Sequence, residues 1–147
     1  MNSTSRVLSM LASLGIDMVE VERMRQGLRR WPRMVARLFT EGERAYCEAK
    51  ADAAPHYAAR FAAKEAAAKA VGRWLRWQEV EVVSDACNRP VLHLIGESAQ
   101  VARIPEGARL LVSLSHSRNY AIAVVALVLR ASGEGPASSA TAGGMQS

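Results

Sequence analysis

Lysine is scarce in this basic chain. Lys50, Lys64 and Lys69 are the only three among 19 basic residues, so arginine supplies nearly all the positive charge. Cysteine is scarcer still. Cys47 and Cys87 have no metal-ligand spacing and cannot build a disulfide framework, which fits a reducing cytoplasm. No apolar run can cross a bilayer: the longest, Tyr120 to Leu129, is about half the length required and reads as a buried strand. Val7 to Ile16 follows one basic residue, Arg6, and has no clear cleavage site before Asp17, so no secretory leader is expected. No internal repeat is visible. Residues 131–147 have no aromatic and little to bury, and are expected to form a flexible tail outside the chemistry; residues 1–6 are expected to be loose.

The remaining residues, 1–130, should form one domain. A chain of 147 residues that is 50% hydrophobic can build a core but is short for two domains. A net charge of +5 directs attention to anionic partners: nucleic acid, phosphorylated metabolites, an acidic protein or a membrane surface.

Local patterns predict the elements. Val7 to Met18 reads as a strand that delivers Asp17 at its end. A helix follows from Glu20, Pro32 interrupts it, and a short helix resumes over Met34 to Phe39. Thr40 and Glu43 have capping-box spacing, which opens a helix reaching about Lys50. Pro55 suits the first turn of a long helix, and Gly72 its C-terminal cap. Two hairpins are expected later: Glu79 to Ser84 with Val91 to Ile95, then Arg109 to Leu114 with Tyr120 to Leu129. Asn88 in the first turn can adopt a left-handed conformation. A short helix over Glu97 to Ile104 lies between them.

Four groups of residues could carry chemistry. The long helix contains Arg60-Phe61-Ala62-Ala63-Lys64-Glu65-Ala66-Ala67-Ala68-Lys69-Ala70. At ~100° per residue, Arg60 and Lys64 share one stripe and Glu65 and Lys69 another, with Ala62, Ala63, Ala66 and Ala70 behind them. The expected front therefore holds one carboxylate among three cations, although Glu-before-Lys spacings also stabilise ordinary surface helices. Asp17 is costly to bury unless it pairs, caps the next helix or binds a cation. With Glu65 it could hold Mg2+, which takes one or two protein carboxylates, waters and phosphate oxygens. Ser115-His116-Ser117 could contact phosphate or simply form a polar turn. Finally, Arg23, Arg25, Arg29, Arg30, Arg33 and Arg37 fall within fifteen residues that contain no acid, interleaved with Met24, Leu28, Trp31 and Met34. That composition suits an acidic protein helix or nucleic acid.

Three separated motifs resemble one family, the holo-[acyl-carrier-protein] synthases, the small 4'-phosphopantetheinyl transferases. Gly15-Ile16-Asp17-Met18-Val19-Glu20-Val21-Glu22-Arg23 resembles their opening motif. Arg60-Phe61-Ala62-Ala63-Lys64-Glu65-Ala66, followed by Lys69-Ala70, is similar to their central signature helix. Leu114-Ser115-His116-Ser117, followed by Tyr120-Ala121, is similar to their closing hairpin. The match spans about residues 10–130 in the same order.

The resemblance implies an α+β fold, a small antiparallel sheet packed with helices that include one long central helix. It implies transfer of 4'-phosphopantetheine from coenzyme A to a serine of an apo acyl carrier protein, with release of 3',5'-ADP. Asp17 and Glu65 match the family's Mg2+ ligands, and Lys69 a lysine near the pyrophosphate, making these three the expected catalytic residues. Arg60, Lys64, His116 and Ser117 are expected on the 3'-phosphate and other phosphate oxygens, and Pro90 against adenine. Arg23, Arg25 and Arg29 are the expected carrier contacts. The family also implies a cytoplasmic homotrimer with active sites between subunits, acting in fatty acid or polyketide biosynthesis.

Two stretches depart from the pattern. Gly72-Arg73-Trp74-Leu75-Arg76-Trp77 replaces a longer glycine-rich loop, and Asn88-Arg89-Pro90 has asparagine where glycine normally precedes the basic residue. Two alternatives therefore remain at this level: a basic nucleic-acid-binding domain, and a carrier-binding relative whose tryptophan loop obstructs the pocket.

Overall fold

The computed structural model describes residues 11–129, so the expected tail, 131–147, and residues 1–6, expected to be loose, lie outside the described residues. Strand β1 (Leu11–Glu20) leads into helices α1 (Val21–Arg30), α2 (Pro32–Leu38), α3 (Glu41–Glu48) and the long α4 (Ala54–Val71). A 3-10 turn, Trp77–Glu79, precedes β2 (Val80–Ser84) and β3 (Pro90–Leu94). Helix α5 (Gly96–Val101) and strands β4 (Arg109–His116) and β5 (Tyr120–Val128) complete the order.

Local chemistry explains most boundaries. The Thr40 hydroxyl accepts from the Glu43 N–H at 3.2 Å, and Glu43 Oε1 accepts from the Thr40 N–H at 2.9 Å, so the capping box forms. Pro55 lies in the first turn of α4, where its missing N–H costs nothing. Gly72 ends that helix at φ 73°, and Asn88 turns the β2–β3 hairpin at φ 62°. The strands divide between two antiparallel sheets, β1-β5-β4 and β2-β3.

Alternation along the three-stranded sheet separates its faces. Gly15, Asp17 and Val19 on β1 share a face with Ala121, Ala123 and Val125 on β5, and this face packs on α4. Ala62, Ala63, Ala66, Ala67 and Ala70 cover it from the helix side and are buried. Small side chains bring helix and strand unusually close: a Cβ at Gly15 would lie 1.9 Å from the Ala66 carbonyl oxygen. Gly15→Ala is therefore expected to lower stability by about 3 kcal/mol, by forcing β1 off the helix. Chemical denaturation measures this; a loss below about 1 kcal/mol would mean the strand shifts freely.

The opposite face of the sheet is apolar and bare. Leu14, Ile16 and Met18 are 58%, 61% and 59% exposed, and Leu111, Ile122 and Val124 continue the patch. An apolar surface of this kind marks an interaction face.

Candidate active site

Asp17 stands near the end of β1 on the face turned toward α4. Lys69 Nζ donates to Asp17 Oδ1 at 2.9 Å and to the Ile16 carbonyl at 3.0 Å, tying strand to helix. Phe61, Glu65 and Lys69, four residues apart, line a cleft of about 690 Å3 together with Asp17, Arg23 and Tyr120. Its other end is apolar, formed by Met24, Trp31 and Met34. The structure thus brings the two expected acids to one cleft. Burial raises the Glu65 carboxyl above its usual range, the negative charge of Asp17 adds to this, and Lys69 opposes it. Two hard carboxylates at one cleft suit a divalent cation. The donor set fits Mg2+, with the remaining positions left to water and phosphate.

The expected cationic front of α4 is only half present. Arg60 and Lys64 lie on the inward stripe, and Lys64, expected to contact phosphate, does not have an ammonium free to do so. It is fully buried, and its ammonium is held by Glu43 Oε1 and by the Trp77 and Val80 carbonyls, each at 2.6 Å. Three donors meet three acceptors, which leaves none for a ligand. Glu43 Oε2 also accepts from the Val82 N–H at 3.0 Å, so the pair fastens α3, α4 and the start of β2. Burial lowers the lysine's affinity for its proton, with Glu43 opposing that shift. The helical wheel correctly grouped Arg60 with Lys64 but could not say which stripe faced solvent.

Arg60 is 4% exposed, and its guanidinium lies 3.7 Å from the centre of the Tyr46 ring. His116 closes β4 rather than sitting in the turn, which consists of Ser117, Arg118 and Asn119. The Ser117 hydroxyl accepts from the N–H groups of Asn119 and Tyr120, so its own hydrogen is free for an anion. The Asn119 carbonyl accepts from the Val21 N–H at 2.8 Å, joining this turn to the start of α1. Pro90 lines a second cleft, with Arg89 and Arg109 to Leu114. Trp74 and Trp77 are not among the residues that line these two clefts.

On α1, Arg23 borders the Asp17 cleft and Arg29 is exposed. Arg25 already bridges Asp52 through two nitrogens, at 2.7 and 3.1 Å, and also contacts Glu22. Sequence reasoning missed His56 and Tyr46, which stand beside His116 and Arg60. His56 precedes Arg60 by one helical turn, and that spacing was the available signal.

Comparison with known proteins identifies the family. Residues 13–125 match the family model described as the 4'-phosphopantetheinyl transferase superfamily. A holo-[acyl-carrier-protein] synthase from Geobacter metallireducens is 45% identical over 123 residues, covering 80% of this chain and 98% of that protein. Its counterpart from Koribacter versatilis is 43% identical over 123 residues, with the same coverage. Among solved structures, a holo-(acyl-carrier-protein) synthase from Bacillus anthracis in complex with CoA (3',5'-ADP) superposes with a TM-score of 0.68 at 29% identity, covering 82% of this chain and 99% of that one. The chain belongs to the 4'-phosphopantetheinyl transferase superfamily, within its holo-[acyl-carrier-protein] synthase branch.

Proposed function

We propose that the chain transfers 4'-phosphopantetheine from coenzyme A to a serine of an apo acyl carrier protein in a Mg2+-dependent reaction. The meeting of Asp17, Glu65 and Lys69 at one cleft carries this reading. The serine oxygen forms a bond to the β-phosphorus, the bond from that phosphorus to the bridging oxygen breaks, and 3',5'-ADP leaves with the electron pair. The serine proton passes to a water held by Glu65. Lys69 lies where it can turn from Asp17 to the pyrophosphate and neutralise the departing nucleotide. Asp17 and Glu65 would hold Mg2+, which would supply charge neutralisation at the pyrophosphate.

Arg60, His116 and Ser117 take the 3'-phosphate, and Pro90 lies against adenine. Arg60 and Glu65 are five positions apart on α4, about 140° around its axis, so they serve different sides of the helix. The bare apolar sheet face supports assembly into a homotrimer, in which coenzyme A spans Glu65 of one subunit and Arg60 of the next. Arg23 and Arg29 offer the free charge for an acidic carrier, with Arg25 behind its Asp52 partner. The setting that suits this chemistry is the cytoplasm, where coenzyme A and carrier protein would meet a protein with free thiols at Cys47 and Cys87.

The test is direct. Purified protein, coenzyme A, Mg2+ and an apo carrier should yield a carrier heavier by one phosphopantetheine in intact-mass spectra, and chelation should stop the gain. Carrier binding with no mass gain would reject transfer, and a sedimenting species of one-chain mass would reject the assembly.

A further inference from the structure

Tyr46 stands at the centre of a group of basic side chains that the catalytic acids do not explain. Arg60 covers its ring, and Lys50 Nζ lies 4.5 Å from the ring centre. His56, on α4, meets Tyr46 edge-on at 5.9 Å and His116 of β4 at 5.3 Å. Arg60 Nε is buried without a hydrogen-bond partner, and among the described residues none of these four basic groups has an ion pair. Asp52, in the preceding loop, is the acid that acts on His56, and Arg25 already holds its carboxylate from both sides. A guanidinium so far out of water, with no counter-ion and two imidazoles nearby, calls for an oxyanion.

We propose that His56 donates a hydrogen bond to the 3'-phosphate of coenzyme A, beside Arg60 and His116, and thereby selects a donor bearing that phosphate monoester. The assignment rests on coenzyme A being the donor. Two imidazoles and a fork of N–H groups match the three terminal oxygens of a monoester. In the free protein burial, then the charges of His116, Lys50 and Arg60, hold the His56 imidazole below its usual range, with Asp52 opposing. An arriving dianion reverses that balance, so binding takes up a proton and turns a neutral contact into a charge-assisted one.

The experiment compares coenzyme A with 3'-dephospho-coenzyme A as donors, using the intact protein and His56→Phe, which retains an aromatic edge against Tyr46. The variant should lose about tenfold in kcat/KM for coenzyme A, all of it in KM, and change less than about twofold with the dephosphorylated donor. The wild-type advantage should shrink from about pH 6.5 to about pH 8.5, as the imidazolium is lost. His56→Gln keeps an N–H donor without the charge and should recover part of the KM; if His56→Phe does not fold, it carries the comparison alone, with a smaller selective loss. Equal losses with both donors, or no loss, would overturn the assignment. A wild-type protein that uses neither donor would instead remove the coenzyme A reading itself.

Discussion

Lys64→Met is expected to cost about 3–5 kcal/mol of stability and to lower the melting temperature by on the order of 10 °C. The substitution fills much of the lysine's volume but removes the one cation facing a buried carboxylate. Glu43 then retains the Thr40 and Val82 N–H groups as partners but loses its counter-ion, while the Trp77 and Val80 carbonyls each lose a donor. Adding Glu43→Gln removes the stranded charge while keeping an amide oxygen for the cap, so the double variant should be more stable than Lys64→Met alone. Thermal and denaturant unfolding measure both. A phosphate-binding lysine would behave differently: the protein would remain stable and KM for coenzyme A would rise.

Glu65→Gln should have the reverse profile. Transfer should fall on the order of 10³-fold or more, because one of the two acids assigned to Mg2+ in the proposed reaction would lose its charge. The metal-free protein should nevertheless melt higher than wild type. Glu65 is raised in the fold by burial and by Asp17, so ionising it costs more there than in the unfolded chain. Stability linked to this carboxyl is fully present below the ordinary carboxylate range and is lost as pH rises through the raised value. The variant's advantage should therefore be full near pH 8 and fade as the acid is protonated in both states. Melting curves across that range, recorded with chelator, decide the matter; a variant less stable than wild type near pH 8 would mark Glu65 as a structural partner.

Local signals carried the fold a long way. The capping box at Thr40, the break before Pro55, the left-handed positions at Gly72 and Asn88, and both hairpins required only neighbouring residues, and the structure contains each. The partition into two sheets was not legible, because pairing depends on tertiary packing and not on any strand's own pattern. The site divided along the same line. Asp17 and Glu65 could be paired on chemistry, as two carboxylates that one Mg2+ could take, and the three motifs that resemble one family pointed the same way. Lys64 sat in the most specific of those motifs and was misplaced. Its partners come from Glu43, Trp77 and Val80, and no short window contains them. His56 was overlooked because an isolated histidine in the first turn of an alanine-rich helix gains meaning only when His116 arrives from the distant β4 strand.

The backbone contact at Gly15 has a consequence for altering this protein. Asp17 follows Gly15 by two residues on the same strand face, and Lys69 stands beside Ala66 and Ala70, which that glycine touches. Any side chain at position 15 would press on the backbone of the helix and carry Asp17 away with its strand, while Glu65 and Lys69 stayed on the helix. A residue with no chemistry of its own thus works as the spacer gauge between strand and helix.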